Sequence, residues 1–235
     1  MEHLSRQAAG VLPPADAYLF DIDGTLLNSR DGVHYSAFHA AVREVYGIDS
    51  SIDGVPVHGN TDLGILRAVA RRAGLSDTEF QSNLPAAIAC MCAAASRNAG
   101  SMAPELCPSI PELLASLHQA GKLLGVVSGN LEPIGWLKLE TAGIRQFFAF
   151  GSFSGERELR ADIFRHGLEE VQKRLGTGVR ACFVGDTPAD IEAARQVGSP
   201  VLAVATGIFT RANLLALAPD ACVGCCSELL QAIDD

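Results

Sequence analysis

The sequence predicts an α/β fold, a doubly wound parallel (Rossmann-like) sheet core with an inserted all-helical cap domain. Three observations carry that expectation. Short, wholly apolar runs recur with turn-forming residues behind them, the pattern of strands buried on both faces. Segments with helical spacing lie between the runs, and such alternation calls for parallel strands covered by helices on both sides. One long stretch breaks the alternation and carries helical periodicity alone. The 235 residues suffice for such a core with a modest insertion.

In chain order, Ala17 to Phe20 reads as the first strand. Helical periodicity then occupies Tyr35 to Tyr46, Thr61 to Ala73 and Thr78 to Ala95, with no convincing strand among them. The core domain is therefore read as 1–30 and 104–235 and the helical cap as 31–103, re-entering near Ala103-Pro104-Glu105. Beyond it come a helix over Ile110 to Ala120, a strand over Leu123 to Val127, a helix over Pro133 to Ala142 and a strand over Phe147 to Phe150. A helix over Ala161 to Leu175, a strand over Ala181 to Val184 and a helix over Ala189 to Val197 follow. The strands Val201 to Ala205 and Ala221 to Val223 complete the series. No internal repeat or low-complexity segment interrupts it.

The net charge of −9, with no dense run of lysine or arginine, argues against a nucleic-acid partner. No window reaches the roughly 18 uninterrupted apolar residues of a membrane span, and the start Met1-Glu2-His3 lacks a cationic patch followed by an apolar segment. A cytoplasmic monomer or homodimer without membrane association is expected. The seven cysteines read as reduced, mostly buried small residues rather than as disulfides. Cys222, Cys225 and Cys226 form a cluster, but Cys90 and Cys92, two apart on a helix, point to different faces and make a poor second ligand pair for zinc.

In an open parallel sheet, ligands gather beyond the carboxyl ends of the strands. Four segments lie there: Asp21-Ile22-Asp23-Gly24-Thr25, Ser128-Gly129-Asn130, the cationic stretch Arg157 to Arg160, and Gly185-Asp186-Thr187-Pro188-Ala189-Asp190. The turn into the Gly-Thr loop can wrap Asp21 and Asp23 around one point, where Asp186 would join them from another strand end. Three carboxylates held together repel unless a cation lies between them, and hard oxygen ligands suit Mg2+. A magnesium ion with few protein ligands keeps positions open for a phosphate, and a carboxylate beside it can attack phosphorus in line. A second carboxyl group nearby can protonate the leaving alkoxide and then deprotonate water.

These residues resemble the haloacid dehalogenase (HAD) superfamily, and within it the phosphoglycolate-phosphatase-like hydrolases with a helical cap. The resemblance rests on Asp21-Ile22-Asp23-Gly24-Thr25-Leu26-Leu27 behind an apolar strand, on Ser128 at the end of another, and on the acidic segment Gly185 to Asp190. It spans about Tyr18 to Val223. It implies a Mg2+-dependent phosphatase acting on a small phosphorylated metabolite through an aspartyl-phosphate. Asp21 would be nucleophile and metal ligand, Asp23 general acid/base and metal ligand through its carbonyl, Asp186 a metal ligand and Asp190 a support of the metal site. Gly24, Thr25, Ser128, Gly129 and Asn130 would meet the phosphoryl group.

The third family motif departs from pattern, since relatives often carry lysine before a Pro-x-Pro helix start and this chain has Glu156-Arg157-Glu158-Leu159-Arg160. A guanidinium can hold phosphate with two bonds, so arginine is workable there; Arg160, next to the helix start, is favoured over Arg157. In the cap, His58-Gly59-Asn60-Thr61-Asp62 resembles a Gly-x-Thr-Asp loop that faces substrate in several capped phosphatases, with Thr61 as a binding residue. Equally, Thr61 or Asp62 can cap the helix beginning near Leu63. His34 and His39 read as helix residues rather than ligands, and Trp136 as core. A sugar phosphomutase and a catalytically weak phosphate-binding or sensing protein are the alternative functions. A dehalogenase is disfavoured by Asp23-Gly24-Thr25.

Overall fold

In the computed structural model residues 12–231 are described, so the Met1-Glu2-His3 start lies outside them. The chain runs β1 (Ala17–Phe20), β2 (Leu27–Ser29), α1 (Val33–Glu44), α2 (Asp62–Arg72), α3 (Asp77–Arg97) and β3 (Pro104–Leu106). It continues through α4 (Ile110–Gln119), β4 (Leu123–Val127), α5 (Glu132–Thr141), β5 (Phe150–Ser152), α6 (Arg160–Leu175), β6 (Ala181–Gly185) and α7 (Pro188–Gln196). The last elements are β7 (Val201–Val204), α8 (Arg211–Leu215), β8 (Ala221–Val223) and α9 (Ser227–Gln231).

Six strands form one parallel sheet in the order β5-β4-β1-β6-β7-β8. Because successive strand residues face opposite ways, each strand feeds two cores. Tyr18, Phe20, Leu124, Val126, Cys182 and Val184 pack with Leu113 and Leu117 of α4 on one side. Ala17, Leu19, Val127, Phe183 and Val201 pack with Ile163, Phe164 and Val171 of α6 and Ala194 of α7 on the other. That two-sided burial explains why the strands read as continuous apolar runs.

A third cluster belongs to the helical insertion: Val33, Ala37, Phe38 and Ala41 of α1 meet Leu66 and Val69 of α2 and Phe80, Ala87 and Met91 of α3. Leu131 and Ile134, at the start of α5, join this cluster from the core side. The helices begin where their sequences provide caps. The Thr61 side chain accepts from the Gly64 amide at the start of α2, and Ser76 with Glu79 forms a reciprocal capping box on α3.

The structure differs from the sequence reading at three places. An antiparallel pair, β2 with β3, closes the neck of the insertion with Leu27 opposite Leu106. Three-residue strands containing Asn28 and Pro104 carry too little apolar alternation to announce themselves. The strand expected over Phe147 to Phe150 is instead Phe150–Ser152, because Arg145–Phe147 winds into a short 3-10 turn. From that turn Phe148 reaches the sheet edge-on to Phe20, ring centroids 6.2 Å apart. The short helices α8 and α9 were also unanticipated. No helix among the described residues is long and apolar enough to cross a membrane.

Candidate active site

Chain order in the sheet reverses around β1, flanked by β4 and β6, and such a switch point opens a crevice at the carboxyl ends of the strands. Asp21, Ser128 and Asp186 each stand one residue past the end of β1, β4 and β6. The Asp21 amide continues the ladder with a bond to the Val184 carbonyl at 2.9 Å. The next turn folds around Ile22, whose carbonyl accepts from the amides of Thr25, Leu26 and Leu27. Gly24 is required in this turn: its φ is +87°, and a Cβ there would lie 2.3 Å from Asp186 Oδ2.

Carboxylate oxygens of Asp21, Asp186 and Asp190 lie within 4.8 Å of one another, and all three residues are buried. Arg160 is the cation set among them: its Nη2 is 2.8 Å from Asp21 Oδ2 and 2.5 Å from Asp190 Oδ1. The other Asp190 oxygen accepts from the Thr187 amide and hydroxyl at 3.0 and 2.6 Å, closing a capping box on α7. Asp190 is thus fully engaged and supports Arg160. Asp186 Oδ1 accepts from the Thr25 hydroxyl at 3.1 Å.

Three carboxylates against one guanidinium leave an excess of negative charge in a buried place. Burial, followed by the neighbouring carboxylates, raises the Asp186 carboxyl well above the ordinary range. Burial likewise raises Asp21, with Arg160 opposing and Asp190 and Asp23 adding to the rise. Acids so destabilised as anions fit a divalent cation, whose charge would relieve the repulsion. The oxygen-only donor set suits a hard metal ion.

The Asp23 side chain turns the other way, toward α5. Lys138 Nζ lies 2.8 and 2.6 Å from its two oxygens, and Asn130 Nδ2 donates to Oδ2 at 2.7 Å. Burial works to raise the Asp23 carboxyl, but the charge of Lys138, with hydrogen bonds from Lys138 and Asn130, outweighs it and brings it below the ordinary range. The Lys138 side chain is only 2% exposed. Burying an ammonium costs several kcal/mol unless it is paired, so Lys138 depends on this partner, whereas the Asp23 side chain is 41% exposed.

The insertion docks directly over these groups. The Asp62 amide donates to the Gly129 carbonyl at 2.7 Å, and Asp62 Oδ2 accepts from the Leu131 amide at 2.7 Å. His34 Nε2 stands 3.0 Å from the same Asp62 oxygen. Arg67 of α2 grips the Glu158 carboxylate through Nε and Nη2 at 2.6 to 2.9 Å. Between the insertion and the strand ends lies a cavity of about 300 Å3. Asp21, Asp23, Gly24, Ser128, Gly129, Asn130, Arg160 and Asp186 line its floor, and His34, Phe38, Ile52, His58, Asn60 and Ile65 line its roof.

Most of the residues singled out in the sequence therefore meet at one place, with exceptions. Thr61 is turned away from the cavity: its hydroxyl caps α2 and donates to the Glu158 carbonyl at 2.8 Å, while its neighbour Asp62 faces the site. Thr25 spends its hydroxyl on Asp186. Arg160, not Arg157, stands on the cavity wall. The two residues the sequence reading missed are Lys138 and His34. A single lysine within the apolar stretch Trp136-Leu137-Lys138-Leu139 was the available signal, because a charge on a buried helix face demands a partner. The seven cysteines are all unpaired thiols.

Comparison with known proteins places this geometry in context. A family model described as haloacid dehalogenase-like hydrolase matches residues 15–198. Phosphoglycolate phosphatase of Synechococcus elongatus is 32% identical over 222 residues, covering 92% of this chain and 96% of that protein. Tyrosine-protein kinase PtkA of Mycobacterium bovis is 29% identical over 206 residues, 84% of this chain and 64% of that protein. Among solved structures, CbbY from Rhodobacter sphaeroides in complex with phosphate superposes with a TM-score of 0.69 at 22% identity, covering 94% of this chain and all of that one (100%).

Proposed function

The chain belongs to the haloacid dehalogenase-like hydrolases and is a phosphatase among them, and from that premise we propose that it hydrolyses a small phosphate monoester through a phosphoaspartate at Asp21. The observation that carries this reading is the convergence of the Asp21 and Asp186 carboxylates, with Asp190 buried beside them, at the floor of a cavity that the Asp23 carboxylate also lines.

The substrate phosphoryl group sits between Asp21 and the Ser128-Gly129-Asn130 turn. An Asp21 oxygen attacks phosphorus, the bond from phosphorus to the ester oxygen breaks, and Asp23 delivers a proton to the departing alkoxide. Asp23 then takes a proton from water as that water attacks the phosphoaspartate, and Asp21 is released with inorganic phosphate. Arg160 holds Asp21 in line and stays charged throughout. Asp21, Asp186 and the Asp23 carbonyl would hold Mg2+, which when bound neutralises the cluster and polarises the phosphoryl oxygens. Docking of the helical insertion, acting as a cap, excludes bulk water from both steps.

A phosphoglycolate-like substrate is favoured by the name of the Synechococcus relative and by a cavity that suits a small molecule. The test is phosphate release from a panel of small phosphate esters, with and without Mg2+, for the native chain and Asp21→Asn. Magnesium-dependent turnover lost in Asp21→Asn supports the reading. Tight magnesium-dependent binding of phosphate with no turnover of any ester would instead mark a phosphate-binding protein.

A further inference from the structure

An ammonium group has three N–H bonds, and those of Lys138 are all spoken for. They point to the Asp23 carboxylate at 2.6 Å, to Asn130 Oδ1 at 2.7 Å and to His34 Nδ1 at 3.1 Å. None remains for a phosphate oxygen, although Lys138 borders the cavity. Arg160 already provides the cation at Asp21. The place of Lys138 is therefore beside the acid/base carboxylate, where it holds both oxygens from one side while Asn130 Nδ2 holds Oδ2 from another.

The third partner of Lys138 comes from the insertion. Lysine cannot accept, so His34 Nδ1 does, and its proton sits on Nε2 facing Asp62 Oδ2. Asp62 in turn is tied to the core by the Leu131 amide. An unbroken line of hydrogen bonds thus runs from Leu131 through Asp62, His34 and Lys138 to Asp23, and it is complete only with the insertion docked.

We propose that Lys138 is a positioning residue that fixes the Asp23 carboxyl group for proton transfer, and that His34 completes its cage when the insertion closes. The proposal rests on the phosphatase reading above. Proton transfer demands placement of the carboxyl within about half an ångström, and a carboxyl held on both oxygens by Lys138 and on Oδ2 by Asn130 supplies it.

The experiment is rapid-quench kinetics with Mg2+ on the native chain, Lys138→Met, His34→Ala and, as reference, Asp23→Asn, using an alkyl phosphate and p-nitrophenyl phosphate. The p-nitrophenolate ion leaves without needing a proton, so transfer of its phosphoryl group to Asp21 is insensitive to Asp23, whereas alkyl transfer is not. Lys138→Met is expected to slow alkyl transfer about 100-fold, the scale of acid catalysis, because lost placement outweighs the easier protonation of Asp23 once the ammonium is gone, and the p-nitrophenyl transfer by less than about threefold. With p-nitrophenyl phosphate the phosphoenzyme should accumulate, because its hydrolysis still needs a base. KM should change little.

Should Lys138→Met fail to fold, His34→Ala carries the test, with the same selectivity at about tenfold amplitude. Equal losses for both esters, a rise in KM with kcat intact, or native behaviour in His34→Ala would overturn the proposal. If the native chain turns over and Asp23→Asn shows the selectivity while the Lys138 and His34 variants do not, this inference alone falls. No turnover by the native chain on any ester would remove the phosphatase reading and the proposal together.

Discussion

Arg160 Nη2 stands 2.8 Å from Asp21 Oδ2, a guanidinium clamped to that carboxylate while it also holds Asp190 through Nε and Nη2. Two carboxylates are bridged by one planar cation, which lysine cannot do from a single nitrogen with the same geometry. Arg160→Ala should lower phosphate release about 100-fold or more, and Arg160→Lys should recover only part of that loss. Arg157→Ala, changing a residue off the cavity wall, should stay within about twofold of native. Steady-state assays on the three variants check this, and a large loss in Arg157→Ala alone would reassign the cation.

The acidic cluster makes stability depend on pH in an unusual direction. Asp21 and Asp186 have folded-state pKa values raised above the ordinary carboxylate range by burial and mutual repulsion. Between the ordinary value and the raised one, the folded chain binds more protons than the unfolded chain, so stability falls as pH rises through that window. Without divalent metal, the protein should melt at a higher temperature near pH 6 than near pH 8. Added Mg2+ should raise the melting temperature most at the higher pH, and Asp186→Asn should flatten the pH dependence and weaken the Mg2+ effect. Thermal melts with and without chelator decide the matter; a metal-free chain that gains stability toward pH 8 would contradict the sign.

Arg67 and Glu158 form the charged clasp between insertion and core, with side chains 14% and 32% exposed. A partly solvated pair of this kind is worth about 1 kcal/mol, close to a fivefold change in an equilibrium. Glu158→Gln should raise KM by about threefold to tenfold with kcat nearly unchanged, and added salt should narrow the difference from native. A drop in kcat at constant KM would show that the clasp acts on chemistry rather than on closure.

Gly129 tests closure sterically. A Cβ at this position would lie 2.3 Å from the Asn60 carbonyl oxygen, backbone that cannot swing aside. Gly129→Ala should prop the insertion off the strand ends, lengthen or lose the bond from the Asp62 amide to the residue 129 carbonyl, and cut kcat about tenfold or more. Small-angle scattering and protease sensitivity at the neck near Ser29 and Pro104 would register the opening. Unchanged activity would show that the loop yields at small cost.

The fold class, the helical stretch between β1 and β3, and the position of Asp21, Asp23, Ser128 and Asp186 at or just past strand ends were legible in the sequence because each signal is local, while Arg160 was only favoured over Arg157. Apolar runs buried on both faces, helical periodicity, and the glycine turn after Asp23 are dictated by neighbours along the chain. The tertiary structure alone decided what Thr61 and Thr25 do with their hydroxyls, where the β2 and β3 neck closes, and that Lys138 meets Asp23 across a separation of 115 residues. A buried ammonium declares in the sequence only that it needs a partner. Which carboxylate that is depends on how α5, the turn after β1 and the insertion pack, since a charge pair forms through space and leaves no periodicity to read.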